Sequence, residues 1–248
     1  MGYRSTFFAV GLIAAGALAP SAQNAARAAD TMAVDLALIL AVDTSMSVDE
    51  GEAITQRAGY IHAMRDKKVA DAIKGGPIGR IAIAYMEWSS PYTQTVIIPW
   101  RVISDEASAK KFADDLEKTT YKPGSTTSIS GGIDYSVKMF RGMEYEPTRK
   151  VIDVSGDGYS DYGRPVTESR DKAVAEGITI NGLALMNQRG PGQASAPLDL
   201  DKYYRDNVIG GPGSFYIAVR SLQDFDRSII KKMVLEISSL LPPRAPNG

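Results

Sequence analysis

The sequence predicts an α/β fold: a doubly wound, mostly parallel six-stranded sheet with helices on both faces. Three observations carry that expectation. Short, mostly apolar runs such as Val34 to Val42 and Ile178 to Leu185 have the length and the β-branched content of strands buried on both sides. Between such runs lie stretches with apolar residues three or four apart, as in Ile129, Ile133, Val137 and Phe140. Gly- and Pro-rich punctuation separates the two kinds of segment. Strands that alternate with helices form parallel sheets covered on both faces, because each crossover lays its helix against the sheet.

In chain order, Val34 to Val42 is the first strand. Ser47-x-x-Glu50 and Asp49-x-x-Glu52 then have the form of a capping box, which satisfies free backbone N–H groups at a helix start. The next helix carries Ile54, Ala58, Ile61 and Met64 at helical spacing and ends at Lys74-Gly75-Gly76-Pro77. Arg80 to Trp88 is the second strand. Gln94 to Trp100 is the third. Pro91 and Pro99 bound it, and a residue that cannot donate to a ladder suits an edge. Ser104 opens a helix through Leu116. Tyr121 to Ser125 is a loop, and Ser128 to Phe140 a helix. Lys150 to Val154 is the fourth strand, and Ser155 to Gly163 a loop. The helix Val166 to Glu176 stops at Gly177. Ile178 to Leu185 is the fifth strand. A Gly/Pro-rich excursion over 190–197 and a short helix over Leu200 to Val208 come next. Phe215 to Val219 is the sixth strand. Ser221 to Leu240 closes the fold, with Phe225, Ile229, Met233, Ile237 and Leu240 as its inner stripe.

The ends of the chain read differently. Arg4, the apolar stretch Phe7 to Ala19 and Ala26-Arg27-Ala28 have the layout of a cleavable signal peptide over residues 1–28. The apolar stretch is short for a membrane span. The expectation is an exported protein, periplasmic or secreted, of bacterial type. One domain then occupies 30–241, and 242–248 form a disordered tail. There is no cysteine, which excludes disulfides, zinc–thiolate sites and cysteine nucleophiles. The formal net charge is −1, and −3 once Arg4 and Arg27 are removed with the leader. No long basic run occurs, so nucleic acid is not the expected partner.

The chemistry gathers at the ends of predicted strands. Asp43-Thr44-Ser45-Met46-Ser47 directly follows strand one and puts a carboxylate and two hydroxyls into one loop. Asp157, between Gly156 and Gly158, follows strand four. Ligands of such sheets bind outside the carboxyl ends of strands, where the connections diverge. Thr127, just before a helix, can aim a hydroxyl at the same place, although its neighbour Thr126 is an alternative. Spacing to Ile129 and Ile133 favours Thr127. Two carboxylates and three hydroxyls are hard oxygen donors suited to Mg²⁺, with Mn²⁺ or Ca²⁺ as alternatives. Copper and zinc fit less well, since no His or Cys takes part.

Those residues resemble the metal-ion-dependent adhesion site (MIDAS) of von Willebrand factor A-type (VWA-like) domains, Asp-x-Ser-x-Ser followed by a later Thr and a later Asp. Asp43, Ser45, Ser47, Thr127 and Asp157 match it position by position. The phrases Thr127-Ser128-Ile129-Ser130-Gly131-Gly132-Ile133 and Val151-Ile152-Asp153-Val154-Ser155-Gly156-Asp157-Gly158 extend the match. The segment from Asn207 to Phe215 is similar to a bacterial exported branch of that superfamily, of unknown function. The resemblance implies strand order 3-2-1-4-5-6 with strand three antiparallel at an edge. It implies that Ser45, Ser47 and Thr127 touch the metal and that Asp43 and Asp157 act largely through water. It also implies that an acidic side chain of a partner completes the shell.

Other polar residues have plainer readings. Asp153 lies within a strand and suits a structural hydrogen bond. His62, the single histidine, falls on the first helix, away from the strand ends. Trp88 and Tyr159 stand at strand ends on the same rim and are candidate partner-binding residues. Asp161 reads as an ordinary loop residue, and Tyr203-Tyr204 as packing. The expected function is a non-enzymatic binding module whose cation grips an exposed Asp or Glu of a protein or peptide. One alternative is a metal-dependent phosphate or ester hydrolase. Neither a histidine base, a nucleophile elbow nor a phosphate-binding loop accompanies the oxygens. Another alternative is a scaffold with a vestigial metal site.

Overall fold

The structure is a computed structural model that describes residues 1–2, 31–48, 50–186, 196–221 and 224–238. Residues 1–31 and 32–248 form separate units, and the sheet with its helices belongs to the second. The expected signal peptide, most of the 190–197 excursion and the C-terminal tail lie outside the described residues. No helix among those described is long and apolar enough to cross a membrane.

Six strands form one sheet in the order β3-β2-β1-β4-β5-β6, where β1 is Met32–Asp43, β2 Ile81–Trp88, β3 Gln94–Ile103, β4 Tyr145–Gly156, β5 Ile178–Leu185 and β6 Tyr216–Val219. Only the β2–β3 pairing is antiparallel. The helices are α1 (Glu50–Arg65), α2 (Lys67–Lys74), α3 (Glu106–Glu117), α4 (Ile129–Arg141), α5 (Val166–Ala175), α6 (Leu200–Tyr203) and α7 (Phe225–Ser238), and a π-helical turn, Tyr204–Val208, continues from α6. Leu36, Leu38, Leu40 and Val42 of β1 face a core made with α1, α2, α3 and α7. Ala37, Ile39 and Ala41 face a second core, made with α4, α5 and the α6–π segment. The period-2 alternation of a strand therefore feeds both layers, which is why β1 reads as a continuous apolar run.

Several boundaries differ from the sequence reading, for local reasons. The first predicted helix is two. Asp66, in extended conformation, accepts the Lys68 N–H at 2.7 Å and starts α2 afresh. Helix α3 begins one cap later than expected, because Asp105 and Ser108 form a reciprocal capping box. Ile54, expected inside α1, is exposed, whereas Gln56, Arg57 and Tyr60 are buried. The predicted short helix over 200–208 changes from α to π winding at Tyr204. Pro99 falls where the β2–β3 register shifts, a bulge in which a missing N–H costs the ladder nothing.

Helix α7 is tied down by charge as well as by its apolar stripe. Lys232 is buried, with Nζ 2.5 Å from Asp153 Oδ1 of β4 and paired also with Glu236. Asn181 of β5 donates to Glu236 Oε1 at 3.0 Å. Asp153 thus has the structural role its position within a strand implied. His62 is exposed and pairs with Asp226 at 2.8 Å.

Candidate metal centre

Strands β1 and β4 are neighbours, with Val42 opposite Ser155, so the loops that leave their C-terminal ends meet. The connection from β1 leads to β2 on one side and that from β4 to β5 on the other. The site therefore sits at the divergence point where open α/β sheets bind ligands.

Four of the five oxygen residues form one hydrogen-bonded chain. The Ser45 N–H donates to Asp43 Oδ1 at 2.7 Å. Ser45 Oγ lies 3.0 Å from Ser47 Oγ, which donates to Asp157 Oδ1 at 2.7 Å. Ser47 Oγ is thus engaged with the distant carboxylate, a contact that its place in a capping box does not foretell. Asp43 and Ser45 are fully buried, and Thr127 and Asp157 are 6% and 5% exposed.

Thr127 is held by the loop that carries Asp157. Its N–H donates to Asp161 Oδ1 at 2.8 Å, and its carbonyl accepts the backbone N–H groups of Asp161 at 2.9 Å and Tyr162 at 3.2 Å. Asp161, an ordinary loop residue by sequence, is thus a clamp. Its signal was its place four residues after Asp157, within reach of a helix start that has unpaired N–H groups. The Ser128 side chain caps α4 by accepting the Gly131 N–H at 3.2 Å. The neighbouring Thr126 Oγ1 is buried without a hydrogen-bond partner.

The electrostatics are those of an under-neutralised pocket. Burial, then the charge of Asp157, pushes the Asp43 carboxyl from 3.8 up to about 8, against the opposing pull of the hydrogen bonds from Ser45. Asp43 Oδ2 is buried and has no hydrogen-bond partner. Ser89 Oγ, at the end of β2, is likewise buried and unpartnered. No cluster of three or more His, Cys, Asp or Glu suited to a metal occurs among the described residues. Two carboxylates and three hydroxyls are the donors present, and hard oxygens of this kind match Mg²⁺, Mn²⁺ or Ca²⁺.

The rim differs from expectation at Trp88. That residue is 1% exposed, and its ring packs so closely on α4 that a Cβ at Gly132 would meet it at 3.0 Å. It belongs to the core, so its expected role as a partner contact is corrected. A β-strand terminus predicts the rim, but the facing glycine that lets an indole sink is on another element. Tyr159 is exposed, donates its hydroxyl to Asp199 and packs at a tilt of 44° against Tyr203, with ring centroids 4.7 Å apart. Met46, Tyr92, Tyr162 and Leu198 are further exposed apolar side chains on loops at this end of the sheet. A cleft of about 330 Å³ lies beside Asp161, lined also by Ser160, Tyr162, Arg164, Tyr203 and Asn207. A larger cavity of about 550 Å³, between Asp35, Gly76, Arg149 and Ile237, lies at the other end of the sheet and contains none of the site residues.

Strand order, the single antiparallel edge strand and helices on both faces define a von Willebrand factor A-type fold. Solved structures agree. Proximal thread matrix protein 1 from the mussel byssus, in a form with a zinc-occupied MIDAS motif, superposes with a TM-score of 0.57 at 16% identity, over 84% of this chain and 49% of that one. A von Willebrand factor type A protein from Catenulispora acidiphila gives 0.57 at 10% identity, over 82% and 43%. The pilus adhesin SpaC from Lactobacillus rhamnosus GG, in its open conformation, gives 0.57 at 12% identity, over 82% and 30%. The chain thus spans about half the length of the mussel protein and less of the other two. The chain belongs to the family described as "Protein of unknown function (DUF1194)", whose model matches residues 33–241. No curated protein sequence matches it.

Proposed function

We propose that the protein is an exported binding module. Asp43, Ser45, Ser47, Thr127 and Asp157 hold a divalent cation, Mg²⁺ in the first instance, and the cation takes an acidic group of a protein or peptide partner. The observation that carries this reading is the unpartnered, buried Asp43 Oδ2, at one end of the hydrogen-bonded chain that runs through Ser45 and Ser47 to Asp157. Buried polar atoms rarely go without a partner, and a carboxylate oxygen beside a second carboxylate favours a cation. Thr127 is assigned over Thr126 because the Asp157 loop clasps its backbone.

Binding, rather than hydrolysis, is favoured because the one histidine is engaged with Asp226 on an exposed face of α1. The exposed Met46, Tyr92, Tyr159, Tyr162 and Leu198 add apolar area around the site, as a protein-binding surface needs. The mussel protein's zinc-occupied MIDAS and the adhesin SpaC, which share the fold, point the same way. Residues 1–28 are assigned as the export signal and the periplasm or the exterior as the destination, with 30–241 as the mature domain.

Calorimetric titration with Mg²⁺ tests the site. The wild type binds one ion, and Asp43→Ala binds none. Equal binding by the two proteins overturns the assignment. Capture of an immobilised Asp/Glu-containing peptide library with and without chelator tests the partner class, and capture that ignores chelator excludes it.

A further inference from the structure

Tyr204 opens the π-helical turn that follows α6, and its side chain is fully buried. Two strand glycines make room for it. A Cβ at Gly182 of β5 would meet Tyr204 Cδ1 at 2.7 Å, and a Cβ at Gly156 of β4 would meet the Tyr204 hydroxyl at 2.9 Å. The ring therefore runs from β5 across to the end of β4. The same position at Gly156 lies 2.8 Å from Asp43 Oδ2. The phenol oxygen and that carboxylate oxygen thus both lie within 2.9 Å of one point, close enough for one water to bridge them. Neither has a hydrogen-bond partner. A phenol is an O–H donor and a carboxylate oxygen an acceptor.

We propose that Tyr204 is a positioning residue of the cation site: with the ion bound, its hydroxyl holds Asp43 Oδ2 through one bridging water and sets that carboxylate for the ion. This rests on the cation-site reading given above and adds a residue that the Asp-x-Ser-x-Ser, Thr and Asp pattern does not contain. Two complementary orphans side by side in a core are a donor and an acceptor awaiting a third participant. The π winding supports the assignment, since single π turns recur at functional sites and here separate two adjacent tyrosines. Tyr203 turns outward to accept the Ser160 N–H at 3.3 Å, while Tyr204 turns inward to Gly156.

The test is Tyr204→Phe in the full chain, which keeps the ring and removes only the hydroxyl. Wild type, Tyr204→Phe and Asp157→Ala are titrated with Mg²⁺ by calorimetry, and urea unfolding is followed in chelator and in excess Mg²⁺. The expected result is a loss of Mg²⁺ affinity of about ten- to a hundredfold in Tyr204→Phe, the usual effect of removing a group that orients a ligand. In chelator, the variant unfolds at the same urea concentration as wild type or a higher one, because a buried, unpaired hydroxyl is gone. In excess Mg²⁺ it gains less than wild type. Equal Mg²⁺ affinity of wild type and Tyr204→Phe overturns this inference alone. So does an equal loss of stability with and without Mg²⁺, which would mark a purely structural role. Failure of the wild type to bind Mg²⁺ overturns the cation-site reading and this inference with it.

Discussion

The two oxygens of Asp43 lie in different surroundings. Oδ1 is held by the Ser45 N–H at 2.7 Å, whereas Oδ2 is buried and unpartnered beside Gly156. The absence of a side chain at Gly156 is what leaves room beside that oxygen. A methyl there would stand 2.8 Å from Asp43 Oδ2 and 2.9 Å from the Tyr204 hydroxyl, closer than real Cβ contacts come. Gly156→Ala should therefore cost about 1–3 kcal/mol of stability, the usual range for overpacking a filled core. It should also weaken Mg²⁺ binding. Urea unfolding and calorimetry check the two effects, and an unchanged Mg²⁺ affinity would show that the gap beside Asp43 is not used. Gly156 and Asp43 are legible in the sequence as a glycine and a carboxylate at strand ends. Tyr204 is not, because its ring packs against Gly182 and Gly156, glycines of two separate strands.

Helix α7 shows the same division between pattern and contact. Its stripe of Phe225, Ile229, Met233 and Ile237 follows from spacing and is buried as expected. Lys232 and Glu236 are buried too, and no sequence pattern marks them, since their partners Asp153 and Asn181 are on strands far along the chain. Lys232→Met leaves Asp153 and Glu236 buried without a cation and should destabilise the fold by about 3–5 kcal/mol, measurable by urea unfolding. The pH dependence of this element also has a definite sign. Burial, then the charge of Asp153, pushes the Glu236 carboxyl up from 4.5 to about 7. Between those values the folded protein keeps a proton that the unfolded chain has released. Stability contributed through Glu236 therefore falls as the pH rises through that window and levels off above it. Glu236→Gln should remove this part of the slope. The difference in unfolding free energy between wild type and variant, followed from about pH 4.5 to 7, tests it, and parallel curves would refute it.

At the scale of the whole molecule, the sheet brings the β1 and β4 loops together and the proposed ion joins them. A ligand bound by the folded state alone stabilises it by mass action. Mg²⁺ at about a hundred times its dissociation constant should raise the unfolding free energy by about 2.7 kcal/mol. Chelator, or Asp157→Ala, should abolish the increment. Thermal melts with and without Mg²⁺ measure it, and a midpoint indifferent to Mg²⁺ would count against the site. The exposed side chains nearest these loops, Met46, Tyr92, Tyr159, Tyr162 and Leu198, come from four different connections. They lie at one end of the sheet because parallel strands deliver their C-terminal ends to one side of it.

The sequence by itself determined the strand–helix alternation, the parallel sheet with an edge third strand, and the candidate oxygen pentad of Asp43, Ser45, Ser47, Thr127 and Asp157. These are local properties: apolar periodicity, caps, prolines and a motif whose parts are each read within a few residues. Only the tertiary structure decided that Trp88 is core, that Asp161 clamps Thr127, that Lys232 is buried against Asp153, and that the Tyr204 ring is buried beside Gly156. Each of those depends on how two or three separate elements approach. A side chain sinks or emerges according to the glycine, backbone N–H or charge that faces it from elsewhere in the chain, and such facing partners leave no periodic trace in the sequence.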